Sequence, residues 1–248
     1  MKLSIIVPVY NESEQIKRTF EKFKRLKKKI NFKLIFIDDF STDDTSKKIK
    51  KIEKFNKFVK VFKNKKKGLG SAIDIGIKKA KSNYVCIFMC DLSDDVNDLL
   101  KYYKIVINNP NLDAVFGTRF SKKSKIKNYP FIKLLFNRIA NNLIKIITFS
   151  DYNDFTNAFK IYKKKTLLNL MPIVSENFNV FLELPLKLIS RKYKYTIIPI
   201  NWVGRKYGQS KFKMRELGSM YIFTLLYCLI EKFLLNKGNK WTKKILTQ

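Results

Sequence analysis

Acidic residues are scarce in this chain, 20 against 52 lysines and arginines, so the places where they gather behind apolar runs are informative. The stretch Tyr84-Val85-Cys86-Ile87-Phe88-Met89-Cys90 runs straight into Asp91, with Asp94 and Asp95 close behind. Phe32-Lys33-Leu34-Ile35-Phe36-Ile37 empties into Asp38-Asp39, and Leu3 to Val9 empties into Tyr10-Asn11-Glu12. The run from Asp113 to Thr118 ends on Arg119. A continuous apolar run of this length reads as a strand buried on both faces. Open α/β sheets bind ligands outside the carboxyl ends of such strands. Carboxylates there suit a divalent cation that holds a nucleotide diphosphate, and an arginine there suits phosphate, because its fork of donors is rigid. The structural alternative is an acidic first helical turn, which the helix dipole favours. That alternative accounts for Asp43 and Asp44, behind a Ser41 or Thr42 cap, but not for Asp38-Asp39 at the strand end itself.

The elements that must position these residues alternate at βαβ spacing. Strands are expected at residues 3–9, 32–37, 59–62, 84–89 and 113–119, with helices at 14–29 and 95–108 among those between them. This pattern predicts a doubly wound, mostly parallel sheet. Lys63 to Ala72 forms a basic loop whose Gly68 and Gly70 open a helix. Backbone N–H groups there could cradle phosphate, or the glycines could make a plain turn. Residues 121–129 read as a lysine- and serine-rich loop, 132–148 as an apolar helix, 177–192 as a helix carrying Glu183, and 196–200 as a strand. Residues 217–235 are apolar apart from Glu231-Lys232. The uncharged part is 14 residues, roughly 21 Å as a helix and short of the ~30 Å bilayer core. It is expected to lie at a membrane interface, with packing on the domain or on a second subunit as the structural alternative.

Composition narrows the chemistry further. The chain has 248 residues, is 46% hydrophobic and carries a net charge of +32. Such charge attracts polyanions, whether nucleic acid, anionic lipid or phosphorylated substrate. The lysines are scattered, however, and nucleic acid is not the expected partner. Histidine is absent, which excludes Ser-His-Asp triads and histidine-ligated zinc. Cys86, Cys90 and Cys228 are too few for a disulfide framework, which fits a reducing compartment. The first apolar run is too short for a signal peptide. The expectation is a protein on the cytoplasmic face, peripheral to the membrane.

Seven motifs in order resemble the family 2 glycosyltransferases of the dolichyl-phosphate mannosyltransferase type: Val7 to Glu12, Asp38 to Asp43, Gly68 to Ala72, Asp91 to Ser93, Gly117 to Phe120, Asp154 to Lys160, and Arg205 to Lys211. The resemblance implies a GT-A fold over residues 1–215, followed by a membrane-associated helix and basic tail over 216–248. It implies a nucleotide-diphosphate sugar as donor, Mg²⁺ or Mn²⁺, and a polyprenyl phosphate acceptor at an anionic membrane surface. A surface glycan or lipid-linked saccharide is the alternative acceptor. By the same resemblance Pro8, Tyr10, Glu12, Ile37, Asp39 and Cys90 line the donor pocket, and Asp91 holds the metal. Arg119, Arg205 and Lys211 hold the diphosphate, with Arg205 to Lys211 as a flap. Two departures stand out: Met89 replaces the usual first aspartate of the metal motif, and Ala158 replaces a glycine. Asp94 or Asp95 could supply the missing carboxylate. An acceptor hydroxyl would need a base, for which Asp94, Asp95 and Asp154 are the candidates.

Overall fold

The computed structural model describes residues 2–204 and 214–245, with side chains from 218 to 234 within the last helix. In chain order the elements are β1 (Leu3–Val9), α1 (Ser13–Lys27), β2 (Phe32–Asp38), α2 (Thr45–Phe55), β3 (Val59–Lys63), α3 (Leu69–Lys79), β4 (Tyr84–Ile87), α4 (Asp98–Asn108) and β5 (Ala114–Thr118). There follow β6 (Ile126–Lys127), α5 (Phe131–Thr148), β7 (Lys160–Lys163), α6 (Lys164–Asn169), α7 (Val180–Ser190), β8 (Tyr195–Pro199), β9 (Trp202–Val203) and α8 (Met214–Ile245).

Seven strands form the main sheet in the order β3-β2-β1-β4-β7-β5-β8. All neighbours run parallel except β7, which is antiparallel to both β4 and β5. The order steps outward from β1 to β3 and then reverses to β4, so β1 and β4 flank the switch point where a ligand crevice opens. Every residue of β1 is buried, as a central parallel strand requires. Pro8 fits there for a specific reason. Ile6 faces β4, its carbonyl accepting from Phe88 N–H, whereas the Val9 carbonyl faces β2 and accepts from Asp39 N–H. Pro8 therefore turns its missing donor toward β4, whose pairing with β1 has ended at Ile6 and Ile87, and no ladder bond is lost.

The two faces of the sheet carry separate cores. On one, α1 buries Ile16, Phe20, Phe23 and Leu26 at helical spacing against Phe32, Phe88 and Tyr102. On the other, α3 and α7 cover Ile6, Ile35, Ile37 and Val85. The C-terminal helix α8 lies on α7 through buried Thr224 and Cys228, with Asn179 Nδ2 donating to Thr224 Oγ1 at 2.9 Å. Glu231 of α8 also pairs with Arg191. One face of α8 thus packs on the domain while Ile222, Phe223, Leu226 and Ile230 stay exposed. No helix among the described residues is long and apolar enough to cross a membrane.

Several boundaries differ from the pattern. Helix α4 begins at Asp98 rather than 95, because Asp94 is drawn into an isolated bridge with Trp202 and the Asp95 carboxylate accepts from Asn97 N–H. Helix α2 begins at Thr45, so Asp43 and Asp44 precede it, and Asp43 accepts the Thr45 N–H at 2.9 Å. The loop expected at 121–129 contains β6, which pairs in parallel with β9. A two-residue strand leaves no periodicity to detect.

Candidate active site

The residues singled out stand just past the carboxyl ends of β1, β2, β4 and β5. Beyond β1, the loop at Asn11 is laced to the loop beyond β2. Asn11 takes a left-handed φ of +50°. Its side chain accepts from Thr42 N–H at 2.8 Å and donates to Thr42 Oγ1 at 3.1 Å. The N–H of Glu12 donates to Thr45 Oγ1 and that of Ser13 to Asp43. Partial burial would raise the Asp43 carboxyl, but hydrogen bonds from Thr45 and Ser13 hold it below its usual range. Tyr10 is half-buried here, with the Lys67 ammonium 4.9 Å above its ring.

The adjacent carboxylates Asp38 and Asp39 do different things. Asp38 accepts from Ser41 N–H and Ser46 Oγ and so closes its own turn. Asp39 reaches across to the β3–α3 loop, accepting from Asn64 Nδ2 at 2.7 Å and Gly68 N–H at 2.9 Å. The glycines of that loop serve packing. Gly68 has φ +139°, and a Cβ on Gly70 would lie 1.7 Å from the Ser175 carbonyl oxygen. Gly70 N–H donates to the Glu176 carbonyl. Both amides are therefore engaged, and a phosphate cradle at Gly68 and Gly70 does not form. A cavity of about 540 Å³ beside this contact is lined by Lys66, Ser71, Lys78, Pro172 and Glu176. Its Lys66 and Lys78 pair with Glu176 and Asp74, and Asp91 is not among its lining residues.

Beyond β4 the chain passes Met89 and Cys90 to Asp91, whose Oδ1 accepts from Ser93 N–H at 3.1 Å across a turn at Leu92, φ +58°. Val203 N–H donates to the Ser93 carbonyl, so β9 clamps this turn from outside. Asp94 is buried, and its Oδ1 lacks a hydrogen-bond partner among the described residues. Burial first, and then the nearby Asp91 charge, push its carboxyl up to about 8. Asp94 is therefore largely protonated near neutrality.

Beyond β5, Arg119 enters a buried ion pair with Asp154. Its backbone N–H and Nε donate to Asp154 Oδ2 at 2.7 and 2.9 Å, and Nη2 donates to Oδ1 at 2.6 Å. Phe120, Tyr129 and Trp202 place their rings 5.3–5.9 Å from the guanidinium. Burial opposes the Arg119 charge, but Asp154 outweighs it and makes the group more basic than an ordinary arginine. Nearby Lys160 is also buried and donates to the carbonyls of Phe155, Asn157 and Phe181. Burial lowers its ammonium to about 7, although Asp154 opposes that shift.

Tyr10, Glu12 and Asp91 thus stand half-buried at the crevice. Pro8, Ile37 and Cys90, expected to line the pocket, have buried side chains. Ile37 packs in the α3 core, and Cys90 lies against Thr19 of α1. Arg205 and Lys211 lie outside the described residues, as does the flap expected there. Asp154 as the partner of Arg119 was not evident in the sequence, since 35 residues separate them. Lys160 shares β7 with Lys163, so the strand gave no clear signal of a buried cation in need of a carboxylate.

A hard divalent cation needs as few as one or two carboxylates when phosphate oxygens complete its shell. Among the described residues no group of three or more acidic or cysteine side chains could hold a metal ion. Asp91 supplies one such carboxylate, and the neighbouring Asp94 would supply a second on losing its proton. The Met89 thioether, a soft ligand, does not suit such a cation.

The family model for glycosyl transferase family 2 matches residues 4–170. The chain is 28% identical over 222 residues to a dolichol-phosphate mannosyltransferase of Pyrococcus furiosus, covering 88% of this chain and 61% of that protein. It therefore spans less than two thirds of that relative. It is 26% identical over 240 residues to the dolichol-phosphate mannosyltransferase of Saccharomyces cerevisiae, covering 90% of this chain and 88% of that one. Among solved structures, glucosyl-3-phosphoglycerate synthase from Mycobacterium tuberculosis, in complex with Mn²⁺, UDP-glucose and phosphoglyceric acid, superposes with a TM-score of 0.66 at 16% identity. That match covers 92% of this chain and 79% of that one. A likeness at that identity shows the fold alone, which is GT-A.

Proposed function

Because the chain belongs to glycosyl transferase family 2, we propose that it moves a sugar from a nucleotide-diphosphate donor to a polyprenyl phosphate at the cytoplasmic membrane face. What supports this reading is that Tyr10 and Glu12 follow β1 and Asp91 follows β4, the parallel strands that flank the sheet's switch point, with Arg119 and Asp154 paired beyond β5. The dolichol-phosphate mannosyltransferase relatives supply the acceptor class.

In this mechanism Tyr10 and Glu12 border the nucleoside, and Asp39 stiffens the pocket wall by fixing the Gly68 turn. The leaving diphosphate gains charge as the sugar departs, and donors already in place stabilise it without reorganisation. Asp154 and Thr156 engage Nε and Nη2 of Arg119 among the described residues. Nη1 remains as the edge with which the guanidinium would meet a phosphate. Such a contact at 4 Å would be worth about 4 kcal/mol at an effective dielectric constant of 20. Arg205 follows directly after Gly204, which is anchored by its N–H to the Lys127 carbonyl at 2.9 Å, and Lys211 comes six residues later; both would close over the diphosphate. A divalent cation held by Asp91 and Asp94 would neutralise the diphosphate further. A phosphate acceptor, with a second pKa of about 6, arrives already anionic and needs positioning rather than deprotonation. The transfer is a single inverting displacement.

Transfer to a sugar hydroxyl would instead need a carboxylate base. Asp154 is bound to Arg119 and Asp95 accepts from Asn97, which leaves Asp94, pushed up to about 8 by burial, as the candidate base for such an acceptor.

The test is nucleotide release by purified protein in detergent with Mg²⁺ or Mn²⁺, across a panel of nucleotide sugars with and without polyprenyl phosphate. Release that requires the lipid and disappears in Asp91→Asn supports the assignment. Release that ignores the lipid but requires a saccharide would overturn the acceptor.

A further inference from the structure

Helix α5 is amphipathic in the opposite sense from a helix that faces water. The residues turned toward the domain are Leu134, Asn137, Asn141, Ile144 and Thr148, at alternating three- and four-residue spacing. The middle of this seam is polar: Asn137 and Asn141 both donate to Thr156 Oγ1, at 3.0 and 3.2 Å. The outward positions are apolar. Phe131, Ile132, Phe136, Ile139, Leu143 and Ile146 are each 47–75% exposed, and Phe149, just past the helix, is 94% exposed. Apolar residues also occur in adjacent pairs, at 131–132, 135–136 and 146–147. Neighbours in a helix point about 100° apart, so the apolar surface is broad, interrupted on the outward side by Lys133, Arg138 and Asn142. A protein groove contacts a stripe, whereas a bilayer can surround a helix lying in it.

Charge identifies the surface. Lys133 and Arg138 are exposed within this apolar face and Lys145 is half-buried at its end, as in interfacial helices whose cations reach up to headgroups. The chain's +32 charge adds a long-range attraction to an anionic leaflet. An 18-residue helix is roughly 27 Å long, and no described helix is fit to span the bilayer. Position agrees as well. Tyr129, two residues before α5, lies against Arg119, its ring 5.9 Å from the guanidinium. Helix α5 therefore starts at the rim of the Arg119–Asp154 cleft.

We propose that α5 is an interfacial docking helix, immersed by its outward face in an anionic bilayer so that the mouth of the Arg119–Asp154 cleft lies at headgroup level. This deepens the polyprenyl-phosphate reading by assigning the surface that meets the lipid phase. It is tested independently of that reading, without donor or acceptor.

The full chain is floated with phosphatidylcholine vesicles with and without phosphatidylglycerol. Binding is expected to increase with phosphatidylglycerol and weaken with salt. The double variant Ile132→Glu/Ile139→Glu should lose roughly tenfold or more in partitioning, while its nucleotide release in detergent stays at the wild-type level and reports intact folding. Ile139→Trp should retain binding, and its added fluorescence should be quenched by lipids brominated in the chains. Unchanged partitioning of the double variant, or no quenching of Ile139→Trp on bound vesicles, would overturn the proposal. So would loss of a lipid-free dimer in the double variant with vesicle binding retained, since α5 would then face a second copy. Absence of any transfer in detergent by wild type would instead count against the catalytic reading, leaving the vesicle result to decide this one.

Discussion

Asp154→Asn probes the pair on which the cleft is built. Asp154 is wholly buried, and its two oxygens accept three N–H groups of Arg119. Asparagine keeps the volume but replaces one acceptor with an NH₂ group. Either orientation of the amide sets at least one Arg119 N–H against another donor, and the guanidinium remains buried without its counter-charge. Breaking a buried pair from one side costs about 3–5 kcal/mol, against a total stability of about 5–15 kcal/mol for a typical domain. With a urea slope of about 3 kcal/mol/M the unfolding midpoint should fall by about 1–1.7 M. Replacing both partners, as Arg119→Met/Asp154→Leu, should recover most of that loss, because two apolar groups of similar shape need no compensation. Equilibrium urea unfolding of the two singles and the double closes the cycle. A single-variant loss under about 1 kcal/mol, or a double no more stable than the sum of the singles, would refute the reasoning.

Other outcomes follow from the same structure. Gly70→Ala should lose at least about 2 kcal/mol in the same unfolding assay, since its Cβ meets the Ser175 carbonyl oxygen at 1.7 Å. Lys160 has its folded pKa lowered to about 7, so between about pH 7 and 10 the unfolded chain binds the extra proton. Wild-type stability should therefore rise with pH relative to Lys160→Met over that window, by up to about 1.4 kcal/mol per unit, and a flat difference would contradict the buried-amine assignment. Met89→Asp should tighten Mn²⁺ binding in the presence of nucleotide by about tenfold, read by electron paramagnetic resonance of the free ion.

The sheet was legible because buried parallel strands write themselves as unbroken apolar runs, and β1, β2 and β4 do so up to their polar ends. The crevice followed, since Tyr10, Asp39 and Asp91 stand just past those ends. What the sequence hid depends on tertiary partners. Asp39 looks like a free pocket carboxylate until Asn64 and Gly68 are seen on it. Gly68 and Gly70 look like a phosphate loop until the 175–176 backbone fills the space beside them. Helix α5 shows the clearest limit. Its periodicity was present, with Asn137, Asn141 and Thr148 along one seam, but periodicity does not say which side faces the domain. The Thr156 hydroxyl decides that, and it turns the apolar side outward.

The central claim is that the sugar ends on a lipid phosphate. Mass spectrometry and anomeric analysis of the lipid recovered from a reaction with polyprenyl phosphate and the active donor test it most directly. The account predicts a polyprenyl monophosphate carrying one sugar, with the anomeric configuration inverted relative to the donor. Unmodified lipid alongside released nucleotide and free sugar, or a product with the donor's configuration retained, would contradict it.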